Sequence, residues 1–400
     1  MKVLHIAPHP EFSFAHNLYS GAFRRMLEQT GEIEIYPLSP SSPSETYLRS
    51  PRGIKNLRRE FEEAYRKLKT QRPDIIHSEL GWFTNREFYL TLFAGLSFPE
   101  TPLVITVHDP PVVTSEVIPL SAMDRFFPPF RKFRRLLDKT RGRLMASRLL
   151  RSVDGVMILT ESGRKLFLRR YPGREESSIA IPHCAYRPTS YYRNNLHRFS
   201  QQKFIFLFFG YLIPWKGCEL LIRAFGKLLD SSRRPLPSEL WFVGGPFTAA
   251  GMTTYRRFPE QLRGLAEGLG LQNRVKFLGA LPDEEVGKIF SQASCLILPY
   301  GRRQEGRSSG PLLIALGEGI PVIASDLECF REFIPDSRGG LLFTPGSTDE
   351  LTDRMKKIMA PGNAEKIGLW GKKLFLKKCS WERVGPQVIS FYNTIFPKEK

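Results

Sequence analysis

Gly210 and Lys216 stand six residues apart in FFGYLIPWKG, residues 208–217. There a hydrocarbon run, Phe204 to Phe209, stops, and an amphipathic stretch, CELLIRAFGKLL, begins. A strand-to-helix turn of this kind leaves backbone N–H groups unpaired and adds the positive end of the helix dipole to them, which suits an anion. A lysine in the first helical turn opposes that dipole by roughly 0.3–1 kcal/mol, and a bound phosphate reverses the sign. The spacing is not the G-x-x-x-x-G-K-[ST] of a Walker loop. Two readings therefore stand: a lysine that meets phosphate, or a solvated loop lysine.

GRRQEGRSSGPLLIALGEG, residues 301–319, carries the same ambiguity. Gly301, Gly306 and Gly310, with Ser308 and Ser309 between a strand and a helix, can form a phosphate cradle. Arg302, Arg303 and Arg307 add guanidinium forks suited to phosphate. The plainer alternative is a flexible basic loop. His108 and Asp109 close the apolar run LVITVHD, at the carboxyl end of a strand. His9, Glu11 and His16 follow the first apolar run, MKVLHIA. A lone histidine is more often a packed or hydrogen-bonded residue than a functional one, and placement at a strand end favours function. The cysteines, Cys184, Cys218, Cys295, Cys329 and Cys379, are scattered and never paired as CxxC. That excludes a structural zinc pattern and a disulfide framework, and fits a reducing compartment. No D-x-D is present, and no metal or cofactor is expected.

These residues need elements to hold them. KVLHIA, IEIYPL, DIIHSE, LVITVHD, GVMILT and SSIAIPH are strand-like, and most are separated by helix-period stretches such as NLYSGAFRRML and LRREFEEAYRKLKTQ. The alternation predicts an α/β chain with a parallel sheet covered on both faces. CAYRPTSYYRNNLHRFSQQ, residues 184–202, breaks the rhythm as a polar linker. The pattern then resumes with KFIFLFFG, ELWFVGG, RVKFLG, CLILPY, PVIAS and GLLFT. Two Rossmann-like domains follow, over 1–190 and 200–379, with ligands expected in the interdomain cleft beyond the carboxyl ends of the strands.

Composition sets outer limits. With 42% hydrophobic residues and 400 positions, the chain is an ordinary globular protein of two or three domains. No apolar run approaches the roughly 20 residues of a membrane span, and the N-terminus lacks a secretory signal's apolar region. A cytoplasmic location is expected. The 59 Lys+Arg against 40 Asp+Glu, a formal net charge of +19, point to an anionic partner. Residues 123–152 concentrate ten Lys/Arg against two Asp, with Phe130, Phe133, Leu137 and Leu144 on one helical stripe. Such a segment suits an anionic membrane surface at the inner face, or else it is a domain helix with solvated arginines. Nucleic acid is the competing anion, but no recognisable nucleic-acid motif occurs.

Taken in order, FFGYLIPWKGCELLIRAF, ELWFVGGP, RVKFLGALPDEEVGKIFSQASCLILPY and SSGPLLIALGEGIPVIASD resemble the C-terminal domain of a retaining GT-B glycosyltransferase. More narrowly they resemble family 4, the glycosyltransferase group 1 enzymes. MKVLHIAP, VITVHDP and SWERVGPQVISFYNTIF are similar to that family's first strand, fourth-strand loop and final helix, which implies that about 380–396 packs back on the N-terminal domain. The resemblance implies transfer of a sugar from a nucleotide-diphosphate donor to a glycan or lipid-linked acceptor, in cell-surface polysaccharide or glycolipid synthesis. It implies front-face attack, without a side-chain nucleophile or a metal. It assigns donor binding to Gly210, Tyr211, Lys216, Gly244, Gly245, Lys276, Phe277, Glu305, Arg307, Ser308, Ser309 and Gly310. It assigns acceptor binding to His9, Glu11 and His16, and catalytic work to His108, Asp109 and Lys216. Two departures stand out. Tyr211 occupies a position where many relatives carry arginine, and Gly306 and Ile314 fall where much of the family has paired glutamates. A scaffold or regulatory protein that keeps the fold without turnover is therefore an alternative.

Overall fold

The computed structural model describes residues 1–7, 14–38, 51–80, 86–108, 146–183, 203–231, 237–246, 255–335 and 338–396. Its first sheet contains β1 (Lys2–Ile6), β2 (Glu34–Leu38), β3 (Ile75–Leu80), β4 (Leu103–Val107), β5 (Gly155–Ile158) and β6 (Ser178–Ala180), in the order β2-β1-β3-β4-β5-β6. The pairings are parallel throughout. Helices α1 (Phe14–Gln29), α2 (Pro51–Gln71), α3 (Arg86–Ser97) and α4 (Glu161–Arg170) belong to this half. All the expected strands form, for the reason that made them legible: β3, β4 and β5 are buried along their whole length. A parallel strand covered on both faces reads as an unbroken apolar run.

The second sheet contains β7 (Phe204–Phe209), β8 (Ser238–Val243), β9 (Val275–Gly279), β10 (Cys295–Leu298), β11 (Val322–Ser325) and β12 (Gly340–Phe343). Its order is β12-β11-β10-β7-β8-β9, again parallel. The helices here are α5 (Cys218–Asp230), α6 (Phe258–Gly268), α7 (Asp283–Gln292), α8 (Gly310–Gly317), α9 (Glu328–Arg331), α10 (Thr348–Met359) and α11 (Asn363–Lys378). One continuous core runs through this domain, from Phe206 and Phe208 to Leu351 and Met355. In the first domain the apolar residues form two clusters, one on each face of the sheet.

The final helix, α12 (Trp381–Ile395), crosses to the first domain. Its Val384, Val388, Ile389, Phe391 and Tyr392 join the cluster of Val3, Phe23, Met26 and Val104. Gly155 permits the contact, because a Cβ there would lie 2.3 Å from Ile395 Cδ1. A second bridge links the domains near α4. Thr160, the N-cap of α4, donates to the Gly306 carbonyl at 2.9 Å. Glu332 accepts from the N–H groups of Glu161 and Ser162, both at 2.8 Å. A carboxylate from the second domain thus sits at the positive end of a helix of the first.

Candidate active site

The order of the second sheet reverses between β7 and β10, so a crevice opens beyond the carboxyl ends of those two strands. Both stretches singled out for phosphate chemistry lie there. The β7 turn crosses close to the β8 turn: a Cβ on Gly244 would be 2.0 Å from the Gly210 carbonyl oxygen. Gly244 holds a φ of 133°, which side-chain-bearing residues rarely adopt. On the other side Gly301 N–H donates to the Trp215 carbonyl at 2.9 Å, tying the β7 turn to the loop after β10.

Lys216 is not in the first turn of α5, as the sequence suggested. It ends a short 3₁₀ turn, Pro214–Lys216, and Gly217, left-handed at φ 69°, stands between it and the helix as N-cap. The lysine consequently folds back across the strand end. Its Nζ lies 5.0 Å from the Tyr300 ring centroid, and a Cβ on Gly210 would be 2.9 Å from it. Among the described residues Lys216 has no ion-pair partner. On the segment after β10 the Tyr300 hydroxyl and Ser308 Oγ are buried without a hydrogen-bond partner among the described residues. Buried polar atoms are seldom left unpaired in proteins, and an ammonium without an ion-pair partner, with two such hydroxyls on the segment after β10, suits an anionic ligand.

Ser309 caps α8, its Oγ accepting from Leu312 N–H at 3.4 Å. Gly310 opens that helix, so Ser308, Ser309 and Gly310 form its amide-rich start. Tyr211 and Arg307 are half-buried in the same two turns. Arg303 stacks over Trp215 at 4.6 Å. Gly245 accepts from Leu212 N–H at 2.9 Å and completes the join between the β7 and β8 turns.

Other expected donor residues have structural work instead. Glu305 accepts from the Cys329 N–H at 2.9 Å and so caps α9. Lys276 pairs with Glu239 at 2.8 Å and lies over Trp241. Phe277 stacks on Phe242 at 5.0 Å. Strand register places Lys276 and Phe277 level with Leu207 and Phe208, in the body of the sheet rather than at its carboxyl edge. Gly306 is pressed against the first domain, where a Cβ would meet Leu166 Cδ1 at 2.5 Å and Gly163 Cα at 3.2 Å. That position has no room for a glutamate. Ile314 packs against the second-domain core.

In the first domain, strand alternation puts His5, His77, Glu79, Thr106 and His108 on one sheet face, beneath α1 and α12. His108 follows β4 directly, and its N–H donates to the Leu80 carbonyl at 3.0 Å. Its Nε2 donates to Glu79 Oε2 at 3.2 Å. Glu79 is wholly buried, and Ser20 Oγ donates to the same oxygen at 2.6 Å. His5 Nε2 lies 2.8 Å from the other oxygen, a close contact without full hydrogen-bond alignment. Arg24 Nε donates to His5 Nδ1 at 2.9 Å. A guanidinium can only donate, so His5 is neutral with its proton on Nε2, toward Glu79. Burial pushes the His5 imidazole down, in keeping with that tautomer. Burial pushes the Glu79 carboxyl up, but His108 and His5 outweigh it and hold it well below the usual range. Deeper in, His77 bonds Thr106 Oγ1 at 2.7 Å and the Tyr392 hydroxyl of α12.

Glu79 is the residue that sequence reasoning missed. Its only signal was an acid at the end of the strand-like run DIIHSE. His9, Glu11 and Asp109 lie outside the described residues, as do residues 123–145 of the basic stretch. His16 is placed in the first turn of α1, and its side chain is outside the description. Among the described residues no group of three or more His, Cys, Asp or Glu could hold a metal ion, and no helix is long and apolar enough to cross a membrane.

Residues 203–360 match the family described as glycosyl transferases group 1. An uncharacterized glycosyltransferase of Methanocaldococcus jannaschii is 26% identical over 187 residues, 46% of this chain and 44% of its own length. The chain thus spans less than half the length of such curated relatives. Among solved structures, sucrose-phosphate synthase from Thermosynechococcus elongatus superposes with a TM-score of 0.69 at 18% identity, covering 99% of both chains. Anabaena HepE in complex with UDP and glucose gives a TM-score of 0.68 at 17% identity, over 98% of this chain and 100% of that one.

Proposed function

We propose, from a second domain that matches the glycosyl transferases of group 1 and a chain folded as GT-B, that this protein is a retaining glycosyltransferase using a nucleotide-diphosphate sugar. One observation carries the reading: an ammonium without a carboxylate partner among the described residues, folded back over Gly210 at the β7/β10 switch. The donor diphosphate lies between Lys216, the start of α8 and Ser308. Its two negative charges satisfy the ammonium, the amides and the orphaned hydroxyl together. The UDP bound by HepE, a protein of the same fold, supports this choice of ligand.

The transferred sugar then projects toward the first domain, where His108 is oriented by Glu79. Glu79 is a positioning residue. Its carboxylate fixes the ring and steadies positive charge that gathers on the imidazole or on the adjacent anomeric carbon. The acceptor oxygen bonds to the anomeric carbon as the sugar–phosphate bond breaks. The acceptor's proton passes to an oxygen of the departing phosphate. No side-chain nucleophile is needed, and the chain's contribution is placement and charge. A glycan or lipid-linked acceptor in cell-surface synthesis completes the reading.

Thermal shifts with UDP, GDP, ADP and TDP test it. At about a hundred times its Kd a ligand stabilises the fold by about 2.7 kcal/mol, so one selective nucleotide should raise the melting temperature by several degrees. Lys216→Ala should abolish that rise and lower nucleotide-diphosphate release by roughly 10²–10³-fold. Unchanged turnover in Lys216→Ala would sink the mechanism. Gly306, which leaves no room for a carboxylate, favours one second reading: a nucleotide-binding scaffold. That protein would show the thermal shift but release no diphosphate with any donor and acceptor.

A further inference from the structure

We propose that the outer face of α11 is a docking surface for an anionic lipid bilayer. Helix α11 packs through Ala364, Gly368, Gly371 and Phe375, which are buried at helical spacing. The inner face is built for close approach: a Cβ would meet the Gly319 carbonyl oxygen at 2.1 Å from Gly368, and Leu316 Cδ2 at 2.8 Å from Gly371. With the small residues turned inward, the large apolar ones are left outside. Leu369 is 49% exposed, Trp370 43% and Leu376 52%. An isolated exposed leucine needs no explanation, but three large apolar side chains within two turns of one helix do.

Their surroundings name the partner. Lys366, Lys372, Lys373 and Lys377 are exposed around them, and Glu365 is the one carboxylate on the exposed part of the helix. None of these four lysines forms an ion pair among the described residues. Lys373 Nζ lies 5.1 Å from the Trp370 ring centroid and the Arg338 guanidinium 6.0 Å from it, so the indole is flanked by cations on the surface.

A second copy of the chain would bring the same lysines face to face, since a two-fold interface sets a patch against itself. A soluble polyanion would use the lysines and leave the leucines and the indole without a purpose. A bilayer with anionic headgroups uses all of them: lysines at the phosphates, indole at the headgroup level, leucines at the acyl boundary. The surface lies outside residues 123–152 and stands whether or not the catalytic reading holds.

The test is sedimentation of the full chain with vesicles of phosphatidylcholine alone or mixed with phosphatidylglycerol. Binding is expected only with the anionic mixture and should weaken at high salt. Two variants, Leu369→Ser/Trp370→Ser/Leu376→Ser and Lys366→Gln/Lys372→Gln/Lys373→Gln/Lys377→Gln, should each reduce it about tenfold or more. Both change only exposed residues, and unchanged melting and nucleotide thermal shifts confirm that they fold. Indole emission should move to the blue on adding anionic vesicles, and Trp370→Phe should remove that change while binding persists. Three results would overturn the proposal. The first is no binding to anionic vesicles. The second is binding untouched by either variant, which places the contact elsewhere. The third is loss with the lysine variant alone, joined by equal binding to polyphosphate, which makes the face a polyanion site.

Discussion

At the carboxyl edge of the first sheet every described charge has a partner: Glu79 takes His108 and Ser20 on one oxygen and faces His5 with the other, and Arg24 closes the chain behind His5. At the carboxyl edge of the second sheet, Lys216 has no such partner among the described residues, and the hydroxyls of Tyr300 and Ser308, on the segment after β10, are buried without one. The first half is completed by the protein and can only orient. On the proposed reading the second half is completed by the donor. A site assembled from one satisfied and one unsatisfied edge holds its reacting groups rigid on one side and discriminates for charge on the other.

The join between the halves is the place to break this arrangement most severely. Gly306, at φ 78°, touches α4 and its carbonyl takes the Thr160 hydroxyl. Gly306→Glu adds a side chain to a left-handed residue and drives it into Gly163 and Leu166. A destabilisation of about 2 kcal/mol or more is expected, with a melting temperature lower by roughly 5 °C. Displacing the loop that carries Ser308 and Ser309 should cost turnover on the order of 10²-fold. Calorimetry and diphosphate release read the two effects separately. A stable, more active Gly306→Glu would mean that the interdomain contact does not define the working state.

Glu79→Gln removes the charge and keeps the volume. Ser20 Oγ and both imidazole Nε2–H groups are donors aimed at this carboxylate, and an amide must turn an N–H toward one of them. We expect kcat to fall about 10–10²-fold with donor KM within about twofold, since the residue holds His108 and not the donor. Glu79→Asp should recover part of the loss. Equal losses in kcat and in nucleotide affinity would show that the two edges are not separate devices.

Tyr392→Phe asks whether the satisfied half extends to the last helix. The hydroxyl contacts buried His77, and burial pushes the phenol well up, so it stays protonated. Removing it leaves the His77 Nδ1 without that partner, at a cost of about 1–2 kcal/mol. Hydrogen exchange in α12 should rise with the lost stability, while nucleotide thermal shifts stay as they were.

The legible part of the molecule was what buried apolar surface dictates. FIFLFF could only be a covered strand, and it is β7 residue for residue. The turn after it was legible because glycine and a lone cation announce an odd backbone and an odd charge. Glu79 was not, because one acid in DIIHSE gains its meaning only when β4 and α1 bring His108 and Ser20 to it. Lys276 was assigned to the donor only through the resemblance, and its partner Glu239, one strand away and close to it only in the fold, could not be read from spacing. Spacing along the chain reports backbone geometry well and cross-strand partners poorly.

That last pair also gives the gentlest test of the contrast, at a satisfied charge remote from the crevice. Burial pushes the Glu239 carboxyl up, but hydrogen bonds from Lys203, Lys276 and Trp241 prevail and bring it down to about 2, against an ordinary 4.5. A carboxyl depressed on folding stabilises the fold above its ordinary value, and that contribution fades as pH falls through about 2. Both lysines are about half exposed, so the gain is screened. Glu239→Gln should therefore cost about 1 kcal/mol at pH 7, or roughly 2–4 °C in melting temperature. The difference from the parent should shrink between pH 4.5 and pH 2, with nucleotide binding at pH 7 unchanged. A deficit that stayed constant across that window would mean the carboxylate packs rather than pairs, and Lys276 would return as an available cation.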